Sequence, residues 1–381
     1  LLELAARGVL FEDCYASTNV TVPSHAALLT GLHPRDTGVT DNHTALADAA
    51  TTLSEVFRDA GWHTCAATSV NLLDFTSSNT NQGFERFSAP QLARNAEKTV
   101  AIAQRFLDEA PDRPVFLWLH VFDAHGPYQP PAPFDRAFYP QGKDPTDPAL
   151  ELEPGMRVPT YRPKVRDANF IRALYAGEIA YEDAQLAQLL ACERVRAGVV
   201  AFTGDHGEVL GRHGYWWSHR DVFPDTLRVP LIVAWPEAPR GTRVSEPVSN
   251  VDIGRTLLDL SGLQQRAFPG RDLVQARGPA PSARFALAGA RHAASIQRDG
   301  WHLILQLSED AEDDARAPQR AVHQAQLFEL ATDPDCERDV VATQRARALE
   351  LRAQLIEWLA GWRGARFALA TTLDSRAQRN L

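Results

Sequence analysis

The segment Thr203-Gly204-Asp205-His206-Gly207-Glu208 sets a carboxylate beside an imidazole in a glycine-flanked loop, with His213 beyond it. One carboxylate oxygen and one imidazole nitrogen are donors that a divalent cation accepts, and the imidazole suits Zn²⁺ or Mn²⁺ better than Ca²⁺. The same residues would also spell an Asp in a turn next to a His in solvent. A second group is Thr21-Val22-Pro23-Ser24-His25, opening a stretch that runs to Gly31. Pro23 fits the first turn of a helix, and Gly31 or Pro34 ends it. Thr21 then lies just before a helix N-terminus, where free N–H groups and a partial positive charge suit an anionic ester. A hydroxyl there becomes a nucleophile if a metal or base lowers its pKa; otherwise it belongs to an ordinary capped helix. A third group, His120, Asp123, His125 and Tyr128, follows the apolar run 115–121. The carboxyl end of a strand is where open α/β sheets bind ligands. His219 stands alone among Trp216, Trp217 and Arg220, a setting more often structural than reactive.

Short apolar runs alternate with helical stretches, which is the pattern of an α/β fold with a largely parallel sheet. Strands are expected at 9–15, 63–67, 115–121, 198–203 and 228–235. Thr52-Leu53-Ser54-Glu55 is a capping-box signature for a helix ending before Gly61. Further helices are expected at 93–110, 166–194 and 252–260. Residues 127–163 are rich in proline and poor in periodicity, so they form a lid or a disordered insertion. After about Phe268 the texture changes to hairpin strands within 285–307, an acidic and polar loop at 308–320, a short strand at 326–330 and an amphipathic helix at 343–362 with Thr343 as its N-cap. This gives two units: 1–267, carrying the insertion 127–163, and a smaller α+β unit, 268–381.

Composition narrows the function. The 381 residues carry 39 Lys and Arg against 48 Asp and Glu, a net charge of −9. That balance argues against a passive nucleic-acid binder, which needs surplus positive charge to neutralise phosphates. No apolar run approaches the ~20 residues that span a bilayer. The four cysteines, Cys14, Cys65, Cys192 and Cys336, are scattered and form no metal or disulfide framework. The only methionine is Met156, and residue 1 falls inside a helical stretch, so the chain reads as a trimmed piece whose leader is absent. Compartment and oligomeric state stay open.

In order along the chain, these segments resemble the sulfatase family of the alkaline-phosphatase superfamily. Pro23-Ser24-His25-Ala26-Ala27-Leu28-Leu29-Thr30-Gly31 is similar to the family signature C-x-P-S-R-A-x-L-L-T-G. Ala60-Gly61-Trp62-His63-Thr64 resembles its "aGY-x-T" strand, Asp123-Ala124-His125-Gly126-Pro127-Tyr128 its "D-x-H-x-P-Y", and Phe202-Thr203-Gly204-Asp205-His206-Gly207-Glu208 its "F-T-S-D-H-G-E". Leu327-Phe328-Glu329-Leu330 with Asp333-Pro334 resembles the "L-Y-D-L-x-x-D-P" of its small C-terminal domain. The resemblance implies a mainly parallel sheet sandwiched by helices, with a smaller C-terminal domain.

The departures bear on the chemistry. Sulfatases carry Cys or Ser at the nucleophile position, where oxidation yields formylglycine; Thr21 stands there in this chain. Oxidation of a secondary alcohol would give a ketone, so that route is closed. His25 replaces the signature Arg, the family's Lys-x-His falls on Ser69 and Asn71, and its later Lys falls near His219. Superfamily members with a Thr nucleophile act on phosphodiesters, phosphonates or phospholipid head groups with one or two divalent metals. The resemblance therefore implies a metal-dependent hydrolase of an anionic phosphate, phosphonate or sulfate ester. Thr21, Asp205 and His206 would hold the metal (Zn, Mn or Ca), with further carboxylates expected upstream of residue 1. Thr21 would be the nucleophile, and His125 and His219 would bind the non-bridging oxygens or protonate the leaving oxygen. His25, Asn71 and Tyr128 would contact substrate, and Asn19 and Asn42 are further polar candidates. A formylglycine-independent sulfatase and a non-catalytic family member are the alternatives.

Overall fold

The computed structural model describes residues 1–74, 76–274, 283–309 and 320–361, with the backbone of 368–370. The principal helices are α1 (Leu2–Arg7), α2 (Thr21–Thr30), α3 (Leu53–Asp59), α4 (Ala96–Asp108), α5 (Ala168–Ala191), α6 (Ile253–Leu260) and α7 (Arg345–Ala360). The principal strands are β1 (Val9–Tyr15), β2 (His63–Thr68), β3 (Arg86–Ser88), β4 (Val115–His120), β5 (Val200–Thr203), β6 (Arg228–Ala234), β7 (Thr242–Val244), β8 (Arg284–Leu287), β9 (Ala293–Arg298), β10 (Trp301–Gln306) and β11 (Ala325–Glu329).

Local chemistry accounts for the ends of these elements. Thr52 caps α3 with a complete capping box, its hydroxyl accepting from the Glu55 amide while Glu55 accepts from the Thr52 amide. Asn95 and Asp167 cap α4 and α5 through their side chains. Helix α2 stops at Gly31, whose φ of 67° suits glycine. Helix α7 begins after Gln344 with no side-chain cap, so the expected capping by Thr343 fails; that hydroxyl donates instead to the Val340 carbonyl. The loop expected at 308–320 lies largely outside the described residues, as does the last residue of the helix expected to reach 362.

The α/β sheet is more mixed than the alternation of segments implies. One part runs β3-β2-β4, all parallel. The other runs β7-β1-β6-β5, with β6 antiparallel to both of its neighbours. Among the described residues β4 pairs only with β2, and β5 only with β6. Their remaining edges border a cavity of about 1280 Å³ lined by all of β4 and β5 and by apolar residues of the flanking helices, among them Leu28, Phe57, Leu186 and Leu257. Every residue of β2 is buried, whereas β5 is only half-buried along its length.

Strands β8-β9-β10-β11 form a separate antiparallel sheet packed by α7. This sheet meets the segment before α2: Leu287 N donates to Ser17 O at 3.0 Å, and Gly289 N donates to Asn19 Oδ1 at 2.9 Å. The proline-rich stretch 127–163 is an ordered wall against α5. Tyr139 and Lys143 both hold Asp167, and Arg172 grips Glu153 with two nitrogens. No helix among the described residues is long and apolar enough to cross a membrane.

Candidate active site

The site gathers at the carboxyl ends of β4 and β5 and the start of α2. Thr21 is the first residue of α2 rather than its predecessor, and its side chain is buried. Thr21 Oγ1 lies 3.4 Å from His206 Nε2, and that nitrogen lies 3.6 Å from Asp205 Oδ2. Glycine at 207 lets the Asp205–His206 loop turn tightly, since a Cβ there would fall 2.0 Å from the Asp225 carbonyl. The loop is pinned from α2, where Ser24 Oγ donates to Asp205 O at 2.6 Å.

Three imidazoles join that of His206 here, and a backbone carbonyl meets Nδ1 of each of the four. The Nδ1 atoms of His25, His125, His206 and His219 lie 2.8, 2.7, 3.0 and 2.7 Å from the carbonyls of Thr21, Gly126, Gly207 and Asn19. A carbonyl only accepts, so each neutral ring carries its proton on Nδ1 and keeps a lone pair on Nε2. Ring centroids of His206 and His219 are 4.3 Å apart, and those of His125 and His219 5.5 Å. Burial favours the neutral rings: it lowers the pKa of His25 and His125 and brings those of His120 and His219 down to about 3. Burial works against the Asp205 carboxylate, yet the imidazoles of His206, His25 and His120 and the His206 amide hold its pKa below the usual range.

Three donors, Thr21 Oγ1, His206 Nε2 and Asp205 Oδ2, therefore stand at 3.4 and 3.6 Å steps. Ligands about 2.0–2.1 Å from a tetrahedral ion sit roughly 3.3 Å apart, so this set fits a divalent cation. The His206 Nδ1–H on a backbone carbonyl is the outer contact that orients a metal-binding imidazole.

Several expectations change. Two of the amides at the start of α2 are taken: Val22 N donates to Asn42 Oδ1 and Ser24 N donates to Val20 O, and Pro23 has none. Tyr128 is fully buried, packed against Tyr161 and Tyr175, so its aromatic body serves the core rather than the site surface. Asn71 sits on a short turn with its amide on the Gln91 carbonyl, and none of its described contacts joins the histidines. His213 pairs with Asp225 at 3.3 Å and stacks on Phe223.

Two further groups position the site: Asn19, expected only as a polar contact, and a pair of glutamates to which the sequence assigned no role. Asn19 donates to the His219 carbonyl at 2.7 Å, accepts from His219 Nδ1 and accepts from Gly289 N. Glu182 and Glu178, one turn apart on α5, accept from Ala124 N at 3.0 Å and Gln129 N at 2.5 Å, at either end of the loop carrying His125. Their four-residue spacing was the available signal.

The family model that matches is Sulfatase, over residues 1–263. The "Uncharacterized sulfatase YidJ" of Escherichia coli (strain K12) is 23% identical over 325 residues, covering 72% of this chain and 65% of that protein. This chain thus spans less than two thirds of that relative's length. A structure described as BT4656 with its substrate D-glucosamine-2-N,6-O-disulfate superposes with a TM-score of 0.73 at 18% identity, covering 94% of this chain and 92% of the other. The phosphonate monoester hydrolase of Agrobacterium radiobacter superposes with a TM-score of 0.71 at 20% identity, covering 97% and 91%. At these identities the superpositions bear on the fold.

Proposed function

This chain belongs to the sulfatase family, and from that premise we propose that it hydrolyses an anionic phosphate diester or phosphonate ester with Thr21 as nucleophile. The observation that carries this reading is the meeting of a buried hydroxyl, an imidazole and a carboxylate at Thr21, His206 and Asp205. Threonine in that place rules out an aldehyde nucleophile and leaves a hydroxyl that attacks directly. A divalent cation would be held by Asp205, His206 and Thr21 and would supply Lewis-acid charge that lowers the hydroxyl pKa and offsets the charge on the ester oxygens.

The chain's own residues supply the rest. Thr21 Oγ1 attacks in line and loses its proton to an Nε2 lone pair of His219 or His125. A ring that has gained the proton then donates it to the leaving oxygen. Bond formation at Thr21 balances bond cleavage to the leaving group and leaves an ester on Thr21. Water attack releases that ester, with the same imidazoles accepting and returning the proton. Asn19 keeps His219 aimed through its paired contacts. Residues 1–267 are the catalytic unit in this reading, and 268–381 a smaller subdomain whose sheet braces the segment before Thr21.

Sulfate-ester cleavage without formylglycine is the second reading, favoured by the disulfated substrate bound in one structural neighbour. The deciding experiment compares an aryl phosphodiester, an aryl phosphonate monoester and an aryl sulfate with Zn²⁺ or Mn²⁺ supplied. Thr21→Ala and Asp205→Asn should each lower phosphoester turnover by about a thousandfold or more. Sulfate turnover alone selects the second reading. No turnover of any ester together with no bound metal selects a non-catalytic binding protein.

A further inference from the structure

Asp205 has a second set of neighbours that the proposed reaction does not use. One donor atom each from His25, His120 and Asp205 lies within 4.8 Å of the other two. Both imidazoles are buried, 4% and 8% exposed, and meet edge to face with centroids 4.9 Å apart. Asp205 Oδ1 accepts from the His206 amide, while Oδ2 lies 3.8 Å from His25 and 3.6 Å from His206, beyond hydrogen-bond reach of either. That oxygen lies between the His25 and His206 imidazoles, on a side chain that is 23% exposed.

We propose that His25, His120 and Asp205 form a cation site of their own, of the two-imidazole, one-carboxylate kind that takes Zn²⁺. Three protein donors with one position left open is the arrangement of zinc sites that bind water or substrate. All three residues line the 1280 Å³ cavity, so the fourth position faces open space rather than packed side chains. Donors around one zinc lie roughly 3.3 Å apart, so closing on the ion takes a shift of about 1.5 Å or less. His25 approaches Asp205 Oδ2 through Nδ1 at 3.8 Å, the nitrogen that also lies 2.8 Å from the Thr21 carbonyl, so ligation takes a ring turn that brings the Nε2 lone pair round or frees Nδ1 from that carbonyl. His120 is held more lightly: its Nδ1 meets the Ser69 amide at 3.4 Å, a long contact that a modest ring rotation releases. The set shares Asp205 with the Thr21–His206 donors but requires neither of those residues, so it holds whether or not Thr21 is the nucleophile.

Metal titration separates the two sets. Protein stripped of metal is titrated with Zn²⁺, and Co²⁺ serves as the absorbing probe of a four-coordinate site. Thr21→Ala and His206→Ala should retain one tightly bound equivalent, because His25 and His120 remain. Adding His120→Ala or His25→Ala to His206→Ala should weaken that equivalent tenfold or more. Thermal unfolding checks that the variants are folded. In case a buried alanine unfolds the chain, Cu²⁺ bound to the His206→Ala protein is read by electron paramagnetic resonance, which should show coupling to two imidazole nitrogens. A spectrum without nitrogen coupling, or unchanged titration when His25 or His120 is removed, overturns the site. Loss of all metal with His206→Ala overturns it as well, and leaves the Thr21–His206–Asp205 set as the one that binds.

Discussion

Asn19 ties two distant stretches of backbone together and holds one imidazole through its own main-chain carbonyl. Its Nδ2 holds the His219 carbonyl, its carbonyl holds His219 Nδ1, and its Oδ1 takes the Gly289 amide. Asn19→Ala would leave buried partners without a bond, which costs about 1–3 kcal/mol. Urea unfolding should show a loss of that size, and kcat/KM should fall as the His219 backbone, and with it the ring, loses the Nδ2 contact, although the main-chain carbonyl on Nδ1 remains. An unchanged unfolding midpoint would remove Asn19 from the account. Thr21, His25, Asp205 and His206 were legible in the sequence because each sits in a short ordered motif. Asn19 was legible only as a polar candidate; its part in holding His219 was not, because its partners lie 200 and 270 residues away and only the fold brings them near. Tyr128 misled for the opposite reason: a motif places it next to the site, while burial of its ring takes it into the core.

Helix α5 acts on the site through Glu178 and Glu182, which grip the two ends of the His125 loop. Burial raises both carboxyls to about 7, well above the usual range. Each is therefore protonated in the folded chain at pH values where the unfolded chain has ionised. Their contribution to stability is full below the ordinary carboxylate pKa and is lost as pH rises through about 7. The buried rings of His120 and His219 act oppositely: their contribution is present above the ordinary histidine pKa and is lost as pH falls towards about 3. Glu182→Gln keeps an acceptor for Ala124 N but cannot ionise. Between pH 5 and 8 it should gain on the order of 2 kcal/mol over the unsubstituted chain, read by denaturant unfolding at each pH; parallel curves would refute the assignment. Most elements at this scale were visible in apolar runs, glycines and caps, as with Thr52 and β1. Sheet order was not, because the antiparallel setting of β6 is decided by its neighbours, and its apolar run reads the same in either direction.

On the scale of the whole molecule, the C-terminal sheet and the α/β part are joined next to the chemistry. Gly289 meets Asn19, Arg284 meets Asp13 at 2.9 Å, and buried Arg320 pairs with Asp221, two residues past His219. Damage to the smaller sheet should therefore register in the site before it registers as unfolding. The split between β4 and β5 has a different reach. Two rows of backbone donors and acceptors, with apolar side chains such as Leu117, Leu119 and Phe202 around them, offer a template for any extended polypeptide. Unpaired strand edges of this kind favour pairing with another strand, more so as concentration rises. Leu119→Lys, a gatekeeper charge at that seam, should shift light scattering towards the monomer and reduce binding of a hydrophobic dye. Scattering that ignores the charge would place the association elsewhere on the surface. If the charge at 119 does lower scattering, solubility follows access to one slot in the sheet as well as the net charge of −9.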